Sequence, residues 1–296
     1  MKIITICLKE RAISTKHRMD EITCLLNEIG EKKIHPSLCI FPGGTFDLKK
    51  ISLINPNKTE RIKLITNEGI IVPLKKICKE HKLNLIFGID TKNASDQCVC
   101  HVDKSGIKCL TRKIFPVKGA EANAWVSNVE DAKIENRVTK INGVRFLLAA
   151  CYDMFGAEIL RHKDSKRLQN ILCLSKDNTV VSKGAPLFNE LKEKLILNWC
   201  KSVNSSDIGV ACIHTFTKNG FESGVSHWQT GGMTKQFPFL KMKTVFGAAH
   251  YTEGRNFPKD MSKALLADGK YIKKTLVNNY VLLNGKALVR LWSIGK

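Results

Sequence analysis

The sequence predicts a mixed α/β fold, and three observations carry that reading. β-rich apolar runs alternate with amphipathic stretches through the early part of the chain, as in sheets covered by helices. Two Asn-Gly dipeptides, Asn142-Gly143 and Asn284-Gly285, separate strand-like runs and mark hairpins. Only 8 prolines occur in 296 residues, with no repeat or low-complexity stretch, so one domain spanning 1–296 is expected.

The elements follow in order. Residues 2–8 form a β-rich opening strand. Ser14 is a suitable N-cap for a helix reaching residue 29, with Gly30 as its C-cap. Residues 37–41 read as a short buried strand ending at Pro42-Gly43-Gly44. Residues 60–82 carry apolar side chains at helical spacing, with a break expected at Pro73. A strand over 83–89 precedes a hairpin of 97–102 and 108–115 around Asp103-Lys104-Ser105-Gly106. A second hairpin pairs 137–141 with 144–150. A helix-compatible stretch at 156–169 follows, then a helix over 187–203 and a strand over 208–216. Another strand is expected near 244–250, and two β-rich runs lie within 271–294.

Composition bounds the function. The chain is 43% hydrophobic and 25% charged, which is globular. Its 11 cysteines show no even spacing, and the opening apolar run is too short for a signal peptide, so a cytoplasmic protein with reduced thiols is expected. No apolar run has the length of a membrane span. The formal charge of +21 permits a polyanion partner. Its basic residues are mostly lysine and are scattered, so a solvated surface with at most weak, non-specific polyanion binding is expected.

The chemistry centres on Cys151. The strand Val144-Arg145-Phe146-Leu147-Leu148 runs through Ala149-Ala150 into Cys151-Tyr152-Asp153, just before helix-compatible sequence. A cysteine there can project its sulfur from a sharp turn, as a nucleophile needs; it can equally be a small core residue. Thiol chemistry also needs a cation to favour the thiolate, a stabiliser for the developing oxyanion and a proton shuttle. Lys113 can serve the first two needs, with the backbone N–H of Tyr152 as a second oxyanion donor. Cys98, Cys100, His101 and Cys109 offer soft ligands on a hairpin, but their spacing matches no standard zinc module, and no metal is expected. His214, His227 and His250 are each a structural histidine or a shuttle.

These residues resemble the nitrilase superfamily of carbon–nitrogen hydrolases. The resemblance rests on Cys151-Tyr152-Asp153 with Glu158 following, on Thr111-Arg112-Lys113-Ile114-Phe115-Pro116, and on the opening strand and helix leading to Leu38-Cys39-Ile40-Phe41-Pro42. It implies a four-layer α-β-β-α sandwich, and a homodimer or higher homo-oligomer reached by an arm over roughly 260–296. It also implies a small amide or nitrile substrate and no cofactor. Cys151 would be the nucleophile, Lys113 the catalytic lysine and Glu121 a supporting glutamate. The family places its general-base glutamate directly after the proline. This chain has Gly43 there, which is expected to open space for substrate, and Asp47 is the nearest carboxylate. Two readings follow: an amide-directed hydrolase or acyl-transferring enzyme with an altered base, drawn from Glu121 or Asp47, or a catalytically inactive binding or scaffold subunit of that fold. Polyanion binding is a third.

Overall fold

The computed structural model describes residues 1–9, 14–53, 57–92, 97–114, 129–150, 153, 186–216, 244–251, 267–268 and 274–295. The first strand, β1 (Lys2–Leu8), organises the architecture. Its alternation is the cause: Ile4, Ile6 and Leu8 point into one buried cluster and Ile3 and Cys7 into another. One edge of β1 pairs antiparallel with β13 (Ala287–Ile294) along its whole length. The other edge is shared. Ile3, Ile4 and Thr5 pair parallel with β2 (Leu38–Ile40), whereas Cys7 and Leu8 pair parallel with β10 (Thr244–Tyr251). The sheet therefore splits at β1 into two halves.

The first half continues from β2 to β4 (Asn84–Thr91), β5 (Cys98–Asp103) and β6 (Gly106–Arg112), with the short β3 (Phe46–Leu48) beside the end of β4. The second runs from β10 to β9 (Ile208–Phe216), β8 (Val144–Ala150) and β7 (Val138–Ile141). The halves face each other across a shared core: Leu38, Ile40, Ile86 and Val99 meet Phe146, Leu148, Val210 and Phe246. β11 (Ala267–Asp268) adds to β10, and β12 (Lys274–Leu282) to β13.

Helices α1 (Thr15–Glu31), α2 (Lys58–Asn67) and α3 (Ile71–Glu80) cover the outer face of the first half. In α1 the buried residues Ile22, Leu25, Leu26 and Ile29 recur at helical spacing. Each contributes about 1.5–3 kcal/mol by leaving water. Ser14 caps α1 as expected, accepting from the His17 N–H at 3.2 Å. The helix then runs through Gly30 to Glu31. The break expected at Pro73 falls instead at Gly69, whose φ is +78°. Pro73 sits in the first turn of α3, where its missing N–H costs no helical hydrogen bond. A 3-10 turn (Val129–Ala132) and the short α4 (Ile134–Arg137) lead into β7. Helix α5 (Pro186–Asn204) packs on that turn, where Ser202 Oγ donates to the Ala132 carbonyl at 2.7 Å. The stretch at 156–169 lies outside the described residues. Residues 274–295, expected within an extended arm, return as a hairpin on β1, and the Met1 amine donates to the Ile294 carbonyl at 2.9 Å. Among the described residues no helix is long and apolar enough to cross a membrane.

Candidate functional site

Three strand ends converge. The loop after β2 is pinned on two sides: Gly43 N–H donates to the Ile213 carbonyl on β9 at 3.0 Å, and Gly88 N–H on β4 donates to the Pro42 carbonyl at 2.9 Å. Thr45 Oγ1 donates to the same carbonyl at 2.7 Å. β9 is the parallel neighbour of β8, with Cys212 level with Ala150, the residue before Cys151. The Pro42-Gly43-Gly44 loop is thus held beside the end of the cysteine strand. Gly88 permits the approach, since a Cβ on it would lie 2.4 Å from the Gly43 Cα.

The third strand end is that of β6. Lys113 follows it directly and is fully buried. Its backbone N–H donates to the Gln97 carbonyl at 2.8 Å and its Nζ to Gln97 Oε1 at 2.9 Å. The next N–H, of Ile114, donates to Asp153 Oδ1 at 2.7 Å. This bond ties the lysine loop to Asp153, which stands two positions after Cys151 in the sequence. Arg137 tightens the junction. It donates to Asp153 Oδ2 at 3.0 Å, to the Leu148 carbonyl at 3.2 Å, and to the Arg112 carbonyl. Its guanidinium stacks 5.1 Å from the centre of the Trp199 ring. Arg137 thereby joins the ends of β6 and β8 to Asp153. Asp131 extends the charge network, bonding Arg61 at 2.6 Å and lying 3.5 Å from Arg112.

The space expected beside Gly43 is filled. A Cβ at position 43 would lie 2.6 Å from His214 Nδ1, 2.7 Å from its Cε1 and 3.0 Å from the Cys212 carbonyl. The imidazole of β9 therefore occupies the start of the volume that any side chain at 43 would need. On its far side, His214 Nε2 forms a very short hydrogen bond with Asp90 Oδ1 on β4. Gly44 completes the enclosure: its φ is +63°, and a Cβ there would lie 2.6 Å from Asp90 Oδ2. The doublet Gly43-Gly44 thus fits a histidine–aspartate pair. Asp90 also lines a polar cavity of about 330 Å³ together with Ser14, Gly44, Asp47 and Lys49.

A buried histidine, His250, also flanks the loop. Arg18 reaches from α1 to donate to the Thr45 carbonyl at 3.2 Å, to Glu21 Oε2 at 2.7 Å and to His250 Nε2 at 3.2 Å. A guanidinium can only donate, so His250 accepts through Nε2. Burial lowers the Arg18 pKa from its ordinary value, and the Glu21 carboxylate opposes this.

Of the site residues expected from sequence, Lys113 and Gly43 are placed at the convergence, and Cys151, Tyr152 and Glu121 lie outside the described residues, as does His227. Asp47 is bound to Lys49 at 3.1 Å on the cavity rim. Cys98 and Cys100 face the helices while Cys109 faces the inter-sheet core. His101 is engaged by Thr139 Oγ1 at 2.8 Å and Asn84 Oδ1 at 3.0 Å. Among the described residues no three His, Cys, Asp or Glu side chains gather to hold a metal ion. Burial pushes the Cys7 and Cys78 thiols up to about 12 and Cys109 to about 11, and raises Cys39, Cys100 and Cys212 as well. Cys24 is exposed. Sequence reasoning named His214 as a structural histidine or a shuttle but missed its partner Asp90; the glycine doublet signals a close neighbour but does not say which one.

No protein-family model matches the chain. No curated protein matches it. Several solved structures are similar in overall course. An amidase of a Nesterenkonia species, a double mutant in complex with acrylamide, is 12% identical with a TM-score of 0.48, over 98% of this chain and 90% of that one. A carbon–nitrogen hydrolase from Helicobacter pylori is 11% identical with a TM-score of 0.46, over 84% and 73%. A glutamine-dependent NAD+ synthetase from Acinetobacter baumannii, in complex with adenosine diphosphate, is 10% identical with a TM-score of 0.48, over 84% of this chain and 38% of that one.

Proposed function

We propose that the protein cleaves or transfers the acyl group of a small amide, with Cys151 as nucleophile and Lys113 as its cationic partner. One observation supports the reading: the Ile114–Asp153–Arg137 hydrogen bonds tie the lysine loop to Asp153, two positions after Cys151 in the sequence. A buried ammonium favours a nearby thiolate and stabilises the oxyanion that forms when sulfur adds to a carbonyl. The described neighbours of the residues in the sequence resemblance, Pro42, Lys113 and Cys151, support it: Gly43 bonds Ile213, Ile114 bonds Asp153, and Cys212 is level with Ala150. Glu121 and the Tyr152 N–H retain their expected supporting roles in this proposal, and the protein acts as a homo-oligomer.

The test is iodoacetamide labelling near neutral pH, followed by peptide mass spectrometry, with ammonia release assayed across a panel of small aliphatic amides. Cys151 is expected to react ahead of exposed Cys24, Lys113→Ala to slow that reaction, and Cys151→Ser to abolish any turnover. Labelling of Cys151 no faster than Cys24, with no amide turned over, would leave the binding or scaffold role as the better account.

A further inference from the structure

The hairpin of β12 and β13 leaves a strand edge exposed. β12 pairs with β13 on one side, and among the described residues no strand lies on its other side. A bare edge invites pairing with another chain, and proteins guard such edges with lysine, proline or a bulge. The strands that end the main path of this sheet carry such a guard: exposed Lys108 stands on β6 and exposed Lys140 on β7. β12 differs. Residues 275–285 hold no charged residue and no proline, in a chain of which 25% is charged. Its guard is a bulge between Leu276 and Asn278, which leaves Asn278 to Leu282 in regular register.

The side chains of β12 add a second reason. On β13, Leu288 and Trp292 are buried in the core between the half-sheets. Their partners on β12 are Val281 and Leu276. These are 61% and 40% exposed, and Val277 at the bulge is 52% exposed. Cross-strand partners share a face, so the inter-sheet core runs out along β12 and stops at apolar side chains in water.

We propose that β12 is a dimer contact, pairing antiparallel with β12 of a second copy about a two-fold axis through Asn279. This gives the homo-oligomer of the proposed function a surface and needs none of that reading's chemistry. The segment is self-complementary, which selects a copy of this chain as the occupant. The two-fold sets Val277 opposite Val281 of the partner subunit and Asn279 opposite the partner's Asn279. It sets Asn278 opposite the partner's Tyr280, the pair that within one chain already bonds through Asn278 Nδ2 and the Tyr280 hydroxyl at 3.1 Å. Charge selects the same place. Copies that each carry a formal +21 repel one another, and an uncharged edge is where they approach at least cost. The axis stands perpendicular to the sheet, so the exposed valines of both copies lie on one face and join into one strip. An isologous contact of this kind also uses up the edge of each copy, and association through it ends at two.

The experiment is sedimentation velocity of the full chain over a concentration series. The wild type is expected to associate through this contact. Val281→Lys is expected to raise the dissociation constant about a hundredfold, since the two-fold places the new charge in the interface twice. Its melting temperature should stay at the wild-type value, because Val281 is exposed in the monomer. Cross-linking reads the register. In a Cys24→Ser background, Asn279→Cys is expected to give a covalent dimer on mild oxidation, because directly opposed residues of an antiparallel pair have Cα atoms about 4.5–5.5 Å apart. Thr275→Cys, which the same axis separates from its own copy, should not. An assembly that Val281→Lys leaves intact, or equal cross-linking from the two cysteines, overturns the proposal while leaving the protein a homo-oligomer through another surface. A wild type that stays monomeric at every concentration overturns the proposal together with the homo-oligomer, and leaves the amide chemistry to its own assay.

Discussion

Gly43→Ala is the most direct probe of the site, because the structure fixes what one added carbon meets. That carbon would lie 2.6 Å and 2.7 Å from two atoms of the His214 ring and 3.0 Å from the Cys212 carbonyl. The carbonyl cannot retreat easily, since Cys212 is paired on both sides, with Ala150 and Ala248. The ring must move, and moving it breaks the bond to Asp90. Gly43 itself is outside the left-handed region, so the cost is contact rather than backbone strain. Overpacking of this kind costs about 1–3 kcal/mol. Loss of the partly exposed His214–Asp90 pair adds at most about 1 kcal/mol. Together they lower the melting temperature by roughly 2–6 °C for a chain of this size. The same contact governs Gly43→Glu: restoring the family's glutamate by one substitution is expected to destabilise the loop rather than to repair a site. Denaturant unfolding of Gly43→Ala, His214→Gly and their combination tests the cause. With the ring gone the alanine should be tolerated, so the double variant should exceed the sum of the singles in stability by about 1 kcal/mol or more. A neutral Gly43→Ala, or strict additivity, would refute the claim that His214 fills this space.

Two further predictions concern stability. His101 is neutral in the fold: Asn84 Nδ2 donates to the Ser37 carbonyl at 3.1 Å, so Asn84 Oδ1 accepts from Nε2–H, and Nδ1 accepts from the Thr139 hydroxyl. Burial lowers its pKa to about 4. The unfolded chain therefore binds the extra proton first, and stability is retained above about pH 6.5 and lost as pH falls towards 4, by up to about 3 kcal/mol. Urea midpoints across that window should fall in the parent and flatten in His101→Gln. Asp131→Ala should destabilise by about 3–5 kcal/mol, because it removes the carboxylate that pairs with the buried Arg61 guanidinium. A change below about 1 kcal/mol in the unfolding midpoint would show that the network is dispensable.

Local chemistry was legible in the sequence, and long-range placement was not. Ser14, the Asn142-Gly143 turn and the Asn284-Gly285 turn announce themselves, since a cap or a pair of positive φ angles is decided by a few adjacent residues. Asp103 likewise closes its own turn, accepting from Ser105 N–H at 2.7 Å. Gly69 was harder: it and Pro73 compete to end the same helical pattern, and only the tolerance of proline in a first turn decides between them. Arg137 reads as the first residue of a strand, yet its side chain joins three segments. His214 and Asp90 are 124 positions apart, and no periodicity connects them. Cys151 stood out by its position after an apolar strand and Lys113 as a cation for thiol chemistry, and the resemblance joined the two.

The glycine at position 43 looked like the loss of a carboxylate, and the structure gives that absence another meaning. A site that had merely lost its acid would leave the volume open. Here the volume holds an imidazole, and an acid stands one hydrogen bond further back. Gly43 makes room for the ring, Gly44 for the carboxylate, and Gly88 for the loop itself, so the three glycines and the His214–Asp90 pair form one steric unit. Changing any single member is unfavourable, so position 43 is part of a packed unit and not a vacancy left by a lost side chain.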